Sequence, residues 1–310
     1  MLAKTLTILV ASLALVVGSA ASGQGTTVKV LAIGNSFSND ALTYLDSLAK
    51  ATGNTLVLGH AMIGGCDFER HLRHADAHEK DPADPAGRPY AGKKSLKDLL
   101  TQEAWEVVTI QQVSSKSFKP ETFHPHADRL IELVRRHAPQ AEIVIHQTWA
   151  YRDDHGFFGQ PDLNPDTMYR GLRAAYDGLA QQYGLRQIPS GDAMEAARRD
   201  PAWGRFVPDP DFDPAKAVRP ALPKEQRSLH GGFGWRRNRQ TGEYRLGNDA
   251  IHANRYGDYL LGCVWFEFLF RQSALGIGFI PEGIDAADAA ILQRIAHRVV
   301  SEQQRPELAP

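Results

Sequence analysis

The chain has 310 residues, 43% of them hydrophobic, and 35 Lys and Arg against 36 Asp and Glu give a formal net charge of -1. That composition suffices for a sizeable core and offers no electrostatic case for nucleic acid or an anionic membrane as partner. Two cysteines, Cys66 and Cys263, are too few for a disulfide scaffold, although an exported chain could pair them.

Lys4 precedes an apolar run over residues 6–18, broken by Thr7 and Ser12, and small residues follow to Ser22. This order predicts a signal peptide over residues 1–21 and a secreted or periplasmic protein. The run is short for a bilayer span, and no second long apolar run follows, so no stable membrane insertion is expected.

Residues 28–33 (VKVLAI) read as a buried strand, followed by a turn at GNSFSN. A helix is expected over 40–51, with Leu42, Leu45 and Leu48 at helical spacing, and a second strand over 55–58. The polar stretch 71–92, with Asp-Pro pairs at 81–82 and 84–85, reads as a surface excursion. Then come a short helix (95–100), a strand (107–110), a helix (125–137), a strand (143–145), a long helix (167–183) and a short strand (185–188). Residues 201–247 break the rhythm with Pro, Gly, Arg and aromatics and read as a loop insertion or lid. Helices over 254–272 and 286–303 end a single domain spanning 26–303. Strands alternating with helices predict an α/β fold whose parallel sheet is covered on both faces.

Two pieces carry chemistry. Ser36 follows the first strand and opens a helix, at the sheet end where open α/β folds bind ligands. Ser38 or Asn39 would serve equally as plain helix caps there. Near the other end, Asp249 stands three residues before His252. A serine hydroxyl needs a base to take its proton, and an acid to orient that base. A chance Asp-x-x-His with a capping Asp is the competing reading.

GNSFS (34–38), GGC (64–66), TIQQVS (109–114) and HQTWAY (146–151), in this order and ahead of the Asp-x-x-His, resemble a branch of the SGNH (GDSL-like) hydrolases. The resemblance implies a flavodoxin-like three-layer α/β/α sandwich with about five parallel strands. It implies a serine esterase needing no cofactor, with Ser36 as nucleophile, His252 as general base and Asp249 orienting it. The backbone N–H groups of Ser36 and Gly65 would form the oxyanion hole. The family's G-x-N-D block is absent, so Gln112, or its neighbour Gln111, is expected to supply the missing amide. Trp149 and Tyr151 follow the fourth strand, and with Gln111 are candidates to contact substrate; core packing is the alternative for the two aromatics. The substrate class implied is a small acyl ester, acetyl above all, on a small molecule or polysaccharide. The rival readings are a lipase or thioesterase of longer chains and a carbohydrate-binding protein without chemistry. The oligomeric state is not legible.

Other signals are discounted. His71, His74 and His78 share a helical face but lack a metal-binding pattern and read as a solvated helix end. Residues 152–155 read as loop surface. Trp203, Phe206, Phe233 and Trp235 could wall a binding site. The arginines at 236, 237 and 239 could attract a uronate, but a solvated charge run is the plainer reading.

Overall fold

The computed structural model describes residues 25–304 apart from residue 225, so the expected leader over 1–21 lies outside the described residues. In chain order the elements are β1 (Thr27–Gly34), α1 (Ser36–Leu42), α2 (Leu45–Ala51), β2 (Thr55–Met62), α3 (Phe68–Lys80), α4 (Leu96–Thr101), β3 (Val107–Ile110), α5 (His126–His137) and β4 (Glu142–His146). They continue with α6 (Pro165–Tyr183), β5 (Arg186–Ile188), α7 (Ser190–Arg199), β6 (His230–Arg237), β7 (Tyr244–Ala253), α8 (Arg255–Phe270) and α9 (Ala286–Gln304). Strands β1 to β5 form one parallel sheet in the order β2-β1-β3-β4-β5. Helices α1, α2, α7, α8 and α9 pack together, and α3, α4 and α5 form a second group. This is the expected flavodoxin-like sandwich.

The strand order reverses between β1 and β3, and in such sheets the crevice beyond the strand ends at that point is the natural ligand site. One residue, Asn35, separates Gly34, the last of β1, from Ser36 and its helix, so the serine is delivered to that crevice. Beneath it, α8 is buried on nearly every side against α1, α2, α7 and α9. No helix among the described residues is long and apolar enough to cross a membrane.

Three expectations are corrected. The helix expected over 40–51 is two short helices, and the first begins at Ser36 because Asn35, not Ser38 or Asn39, is its cap. The excursion from residue 71 begins instead as α3, capped by Asp67 through the Arg70 N–H. His71 there is fully buried and bonded through Nδ1 to the Tyr90 hydroxyl at 2.7 Å, so its end of the helix is not solvated. Residues 201–247 are not all loop: they contain β6 and lead into β7, an antiparallel hairpin. Glycines at 231, 232, 234 and 247 erase the apolar alternation that would have announced it.

Candidate active site

Each letter of GNSFS has a physical task. Gly34 is where Gln111 and Ser38 approach the backbone: a Cβ there would sit 2.8 Å from both side chains. Asn35 is 1% exposed and fully engaged. Its Oδ1 accepts from the Phe37 N–H at 3.1 Å and from Gln111 Nε2 at 2.8 Å, while its Nδ2 donates to the Cys66 carbonyl at 2.9 Å. The Ser36 turn and the Gly64-Gly65-Cys66 loop are therefore fastened by one side chain. The Phe37 ring stacks on Trp149 with centroids 4.0 Å apart. The Ser38 hydroxyl donates to the Asn35 carbonyl at 2.7 Å and lies 3.0 Å from His60 Nε2.

Ser36, Asp249 and His252 come together. The Ser36 hydroxyl lies 2.9 Å from His252 Nε2, across 216 sequence positions. His252 Nδ1 lies 3.1 and 3.2 Å from the two Asp249 oxygens. A carboxylate only accepts, so Nδ1 carries the proton and donates, leaving Nε2 to accept from the serine. Asp249 also accepts the backbone N–H groups of Ile251 and His252. The hydrogen bond to His252 holds the Asp249 carboxyl well below the usual carboxylate range. That same bond raises His252 above its ordinary value, against the opposing effect of burial.

Residues three apart on a regular strand point to opposite faces. Asp249 and His252 nevertheless meet because the β6–β7 ladder slips: His230 pairs with Ala253 and Gly232 with Asp249, so β7 carries two extra residues within the span. The bulge curls His252 back over Asp249. The motif thus sits on an irregular strand end rather than on a free turn.

The segment after β4 secures that strand end. Trp149 is fully buried, and its indole N–H donates to the Ile251 carbonyl at 3.0 Å. The Arg152 N–H donates to the Ala250 carbonyl at 2.8 Å, and its guanidinium reaches Asn248 Oδ1 at 2.7 Å. The guanidinium is also bidentate on Asp154 and lies over the Phe206 ring, 4.1 Å from its centroid. At 1% exposed, Arg152 is no loop-surface residue. His230 Nε2 meets the Ala150 carbonyl at 3.2 Å, tying down β6 as well. The HQTWAYR stretch moors β7, the strand that carries Asp249 and His252.

Asp40 escaped the sequence reading. It lies one helical turn beyond Ser36 on α1, and its Oδ2 accepts the Ala253 N–H at 3.1 Å, immediately after His252. Burial pushes its carboxyl up to about 6, with the Ala253 hydrogen bond and the His252 charge pulling the other way. Burial pushes Asp258 on α8 up to about 8, and the neighbouring Asp40 charge raises it further. The only sequence cue was i,i+4 spacing from the nucleophile, which is meaningless until the helix start is known.

The two glutamines have other employment. Gln112 Nε2 donates to the Thr122 carbonyl at 2.9 Å, and its Oε1 accepts the N–H groups of Phe68 and Val113. Its amide is thus turned away from Ser36, against the expectation that it completes an oxyanion hole. Gln111 is 1% exposed: it donates to Asn35 and accepts from His146 Nδ1 at 2.7 Å, with His146 Nε2 meeting the Ser190 hydroxyl at 3.1 Å. Burial lowers His146 to about 3, so this buried chain is neutral. Tyr151 is 2% exposed and paired to the Ser114 hydroxyl at 2.9 Å. Gln111, Trp149 and Tyr151 are therefore supports under the site, not a surface for substrate.

Gly65 is exposed, adopts φ +60, and a Cβ on it would meet nothing within 4 Å. Only glycine takes that conformation without strain. The aromatics that could have walled a site pack elsewhere: Trp203 lies tilted against Tyr256, Phe233 packs on Phe212, and the Trp235 indole donates to the Ala221 carbonyl. Cys66 and Cys263 are both buried and unpaired. Among the described residues no group of His, Cys, Asp and Glu could hold a metal ion.

No curated protein matches the sequence. Among solved structures the chain is similar to a DUF4886 family protein from Bacteroides uniformis, at 28% identity and a TM-score of 0.68, covering 91% of this chain and 98% of that one. It is also similar to a protein from Slackia heliotrinireducens described provisionally as an SGNH hydrolase, at 17% identity, TM-score 0.47, and 78% and 98% of the two chains. A lipase/acylhydrolase from Enterococcus faecalis follows at 12% identity, TM-score 0.46, and 79% and 96%. Residues 29–202, which include Ser36 but stop short of Asp249 and His252, match the family model described as a domain of unknown function, DUF4886, and the chain belongs to that family.

Proposed function

We propose that this protein is a serine ester hydrolase of the SGNH type. The observation that carries the reading is the unbroken relay from the Ser36 hydroxyl through His252 to Asp249, at 2.9 and 3.1 Å. Ser36 Oγ attacks the ester carbonyl carbon while its proton passes to His252 Nε2. Asp249 keeps the imidazolium oriented and offsets its charge. The oxyanion settles against backbone N–H groups of Ser36 and Gly65. Both are rigid dipoles, and losing one such donor costs about 100- to 1,000-fold in rate. The tetrahedral intermediate collapses, and the alcohol leaves with the proton from His252. Water, deprotonated by His252, then attacks the acyl-enzyme and frees the carboxylic acid and Ser36.

The two side-chain amides once candidates for a third donor are bound elsewhere, so the hole in this reading is made of backbone alone. The substrate is a small acyl ester, acetyl foremost, on carbohydrate, and the protein acts after export, as its leader-like first residues suggest. The test is turnover of p-nitrophenyl acetate, butyrate and octanoate by the wild type and Ser36→Ala. Acetate should be preferred, and the variant should lose at least about 1,000-fold. Octanoate preference would transfer the reading to a lipase, and turnover surviving in Ser36→Ala would remove it.

A further inference from the structure

The β6–β7 hairpin has two unlike faces. One is covered by the chain that precedes it: Phe233 packs on Phe212 with centroids 5.3 Å apart, Trp235 bonds to the Ala221 carbonyl, and Arg219 lies 3.7 Å from the centroid of Tyr244. The other face is open and carries Asp249. Side chains alternate along a strand, so Asp249, Gly247 and Arg245 share this face. Across the ladder Gly247 pairs with Gly234 and Arg245 with Arg236.

The floor between Asp249 and the two arginines is therefore bare backbone. A Cβ on Gly234 would meet nothing within 4 Å, and one on Gly247 would meet only the Arg236 side chain, at 3.4 Å. Arg236 lies along this floor with a guanidinium nitrogen 3.2 Å from Asp249 Oδ2, yet its side chain is 67% exposed. Arg245 is exposed and forms no ion pair among the described residues. Like charges directly opposite on a ladder destabilise it. Among the described residues, the only carboxylate in ion-pair range of Arg236 is one already bonded to His252. A cation beside the catalytic acid also opposes the imidazolium that the reaction forms. Both costs vanish when an anion settles on the face.

We propose that this glycine-floored face is a subsite for a uronate ring of the carbohydrate substrate, its carboxylate gripped by Arg236 and Arg245. Planar guanidinium forks match a carboxylate two bonds at a time, and the flat floor, which adjoins Asp249 on the side of the relay away from Ser36, suits a ring neighbouring the one that carries the ester. The inference rests on the ester-hydrolase reading for what happens to the ester, though not for the binding itself.

The test separates the two. The Ser36→Ala protein is titrated calorimetrically with trigalacturonate and, as the neutral match, xylotriose, at low and high salt; wild-type turnover of p-nitrophenyl acetate is measured in parallel. Trigalacturonate should bind at least about 10-fold more tightly, and the preference should shrink with salt. Adding Arg236→Gln and Arg245→Gln should abolish it, while Arg236→Lys with Arg245→Lys should keep part of it, since charge stays and the fork goes. Equal affinities, no binding of either sugar, or a preference that survives both glutamines would overturn the subsite. Acid-selective binding by a wild type that turns over no ester would uphold the subsite and sink the esterase; turnover without selectivity would do the reverse.

Discussion

Replacing Asn35 by Ala cuts three hydrogen bonds at once. The buried Gln111 amide loses its acceptor, the Cys66 carbonyl loses its donor, and the Phe37 N–H loses its cap. A buried group left without a partner costs about 1–3 kcal/mol, and an N-cap about 1 kcal/mol. The three share one side chain and do not add in full, so about 3–5 kcal/mol is expected. The change also frees the nucleophile turn from the Gly64-Gly65 loop. A displacement of about 1 Å in such a constellation costs on the order of 100-fold in rate. Urea unfolding should show the midpoint falling with an unchanged slope, and kcat/KM for p-nitrophenyl acetate should drop about 100-fold. Asn35→Asp keeps the Oδ1 acceptor of two bonds but sets a second carboxylate oxygen against the Cys66 carbonyl in a buried place, so it should destabilise at least as much at neutral pH and recover as acid protonates it. A variant Asn35→Ala within about 1 kcal/mol of wild type, and within twofold in rate, would refute the bracket role.

Other consequences follow from the same geometry. His252 must be neutral to take the serine proton, and Asp249 raises it, so the acid limb of kcat/KM should lie above pH 6.5. Ionised Asp40 adds to that rise; Asp40→Asn keeps an acceptor for the Ala253 N–H but removes the charge, so the limb should move to lower pH. An unmoved limb would leave Asp40 a purely structural anchor. Gly34→Ala places a methyl 2.8 Å from Gln111 and Ser38, and such overpacking should cost about 1–3 kcal/mol in thermal unfolding along with a fall in kcat. Because Cys66 and Cys263 are buried and unpaired, a reductant should leave the melting temperature unchanged; a clear drop would mean a disulfide forms after all.

The sheet was readable because parallel strands buried on both faces are continuous apolar runs, as in Val30 to Ile33 and Val107 to Ile110. That the Ser36 turn and the Asp-x-x-His belong together was legible because their order along the chain is itself informative; the structure brings the three side chains within hydrogen-bond reach. What stayed hidden has a common cause. Gln111, Gln112, Trp149 and Arg152 are polar or amphipathic side chains whose roles depend on which way they turn; in the sequence the first three look like site residues and Arg152 like loop surface. The structure turns all four inward: Gln111 braces the Ser36 turn, Trp149 and Arg152 hold β7, and Gln112 ties the segments at Phe68 and Thr122. The β6–β7 hairpin was masked by the glycines that give its open face a floor. The bulge that brings His252 onto Asp249 has no sequence signature, because it is a mismatch between two strands, not a property of either.

The central claim is that Ser36 is made nucleophilic by His252 and Asp249. A fluorophosphonate attacks only an activated serine and leaves a covalent mass on it. Incubating wild type, Ser36→Ala and His252→Ala with such a probe, then mapping the modified peptide by mass spectrometry, addresses the claim without knowledge of the substrate. The account predicts one label, on Ser36, lost in the first variant and slowed at least about 1,000-fold in the second. No label on folded wild type, labelling at another serine, or a rate indifferent to His252 would contradict it.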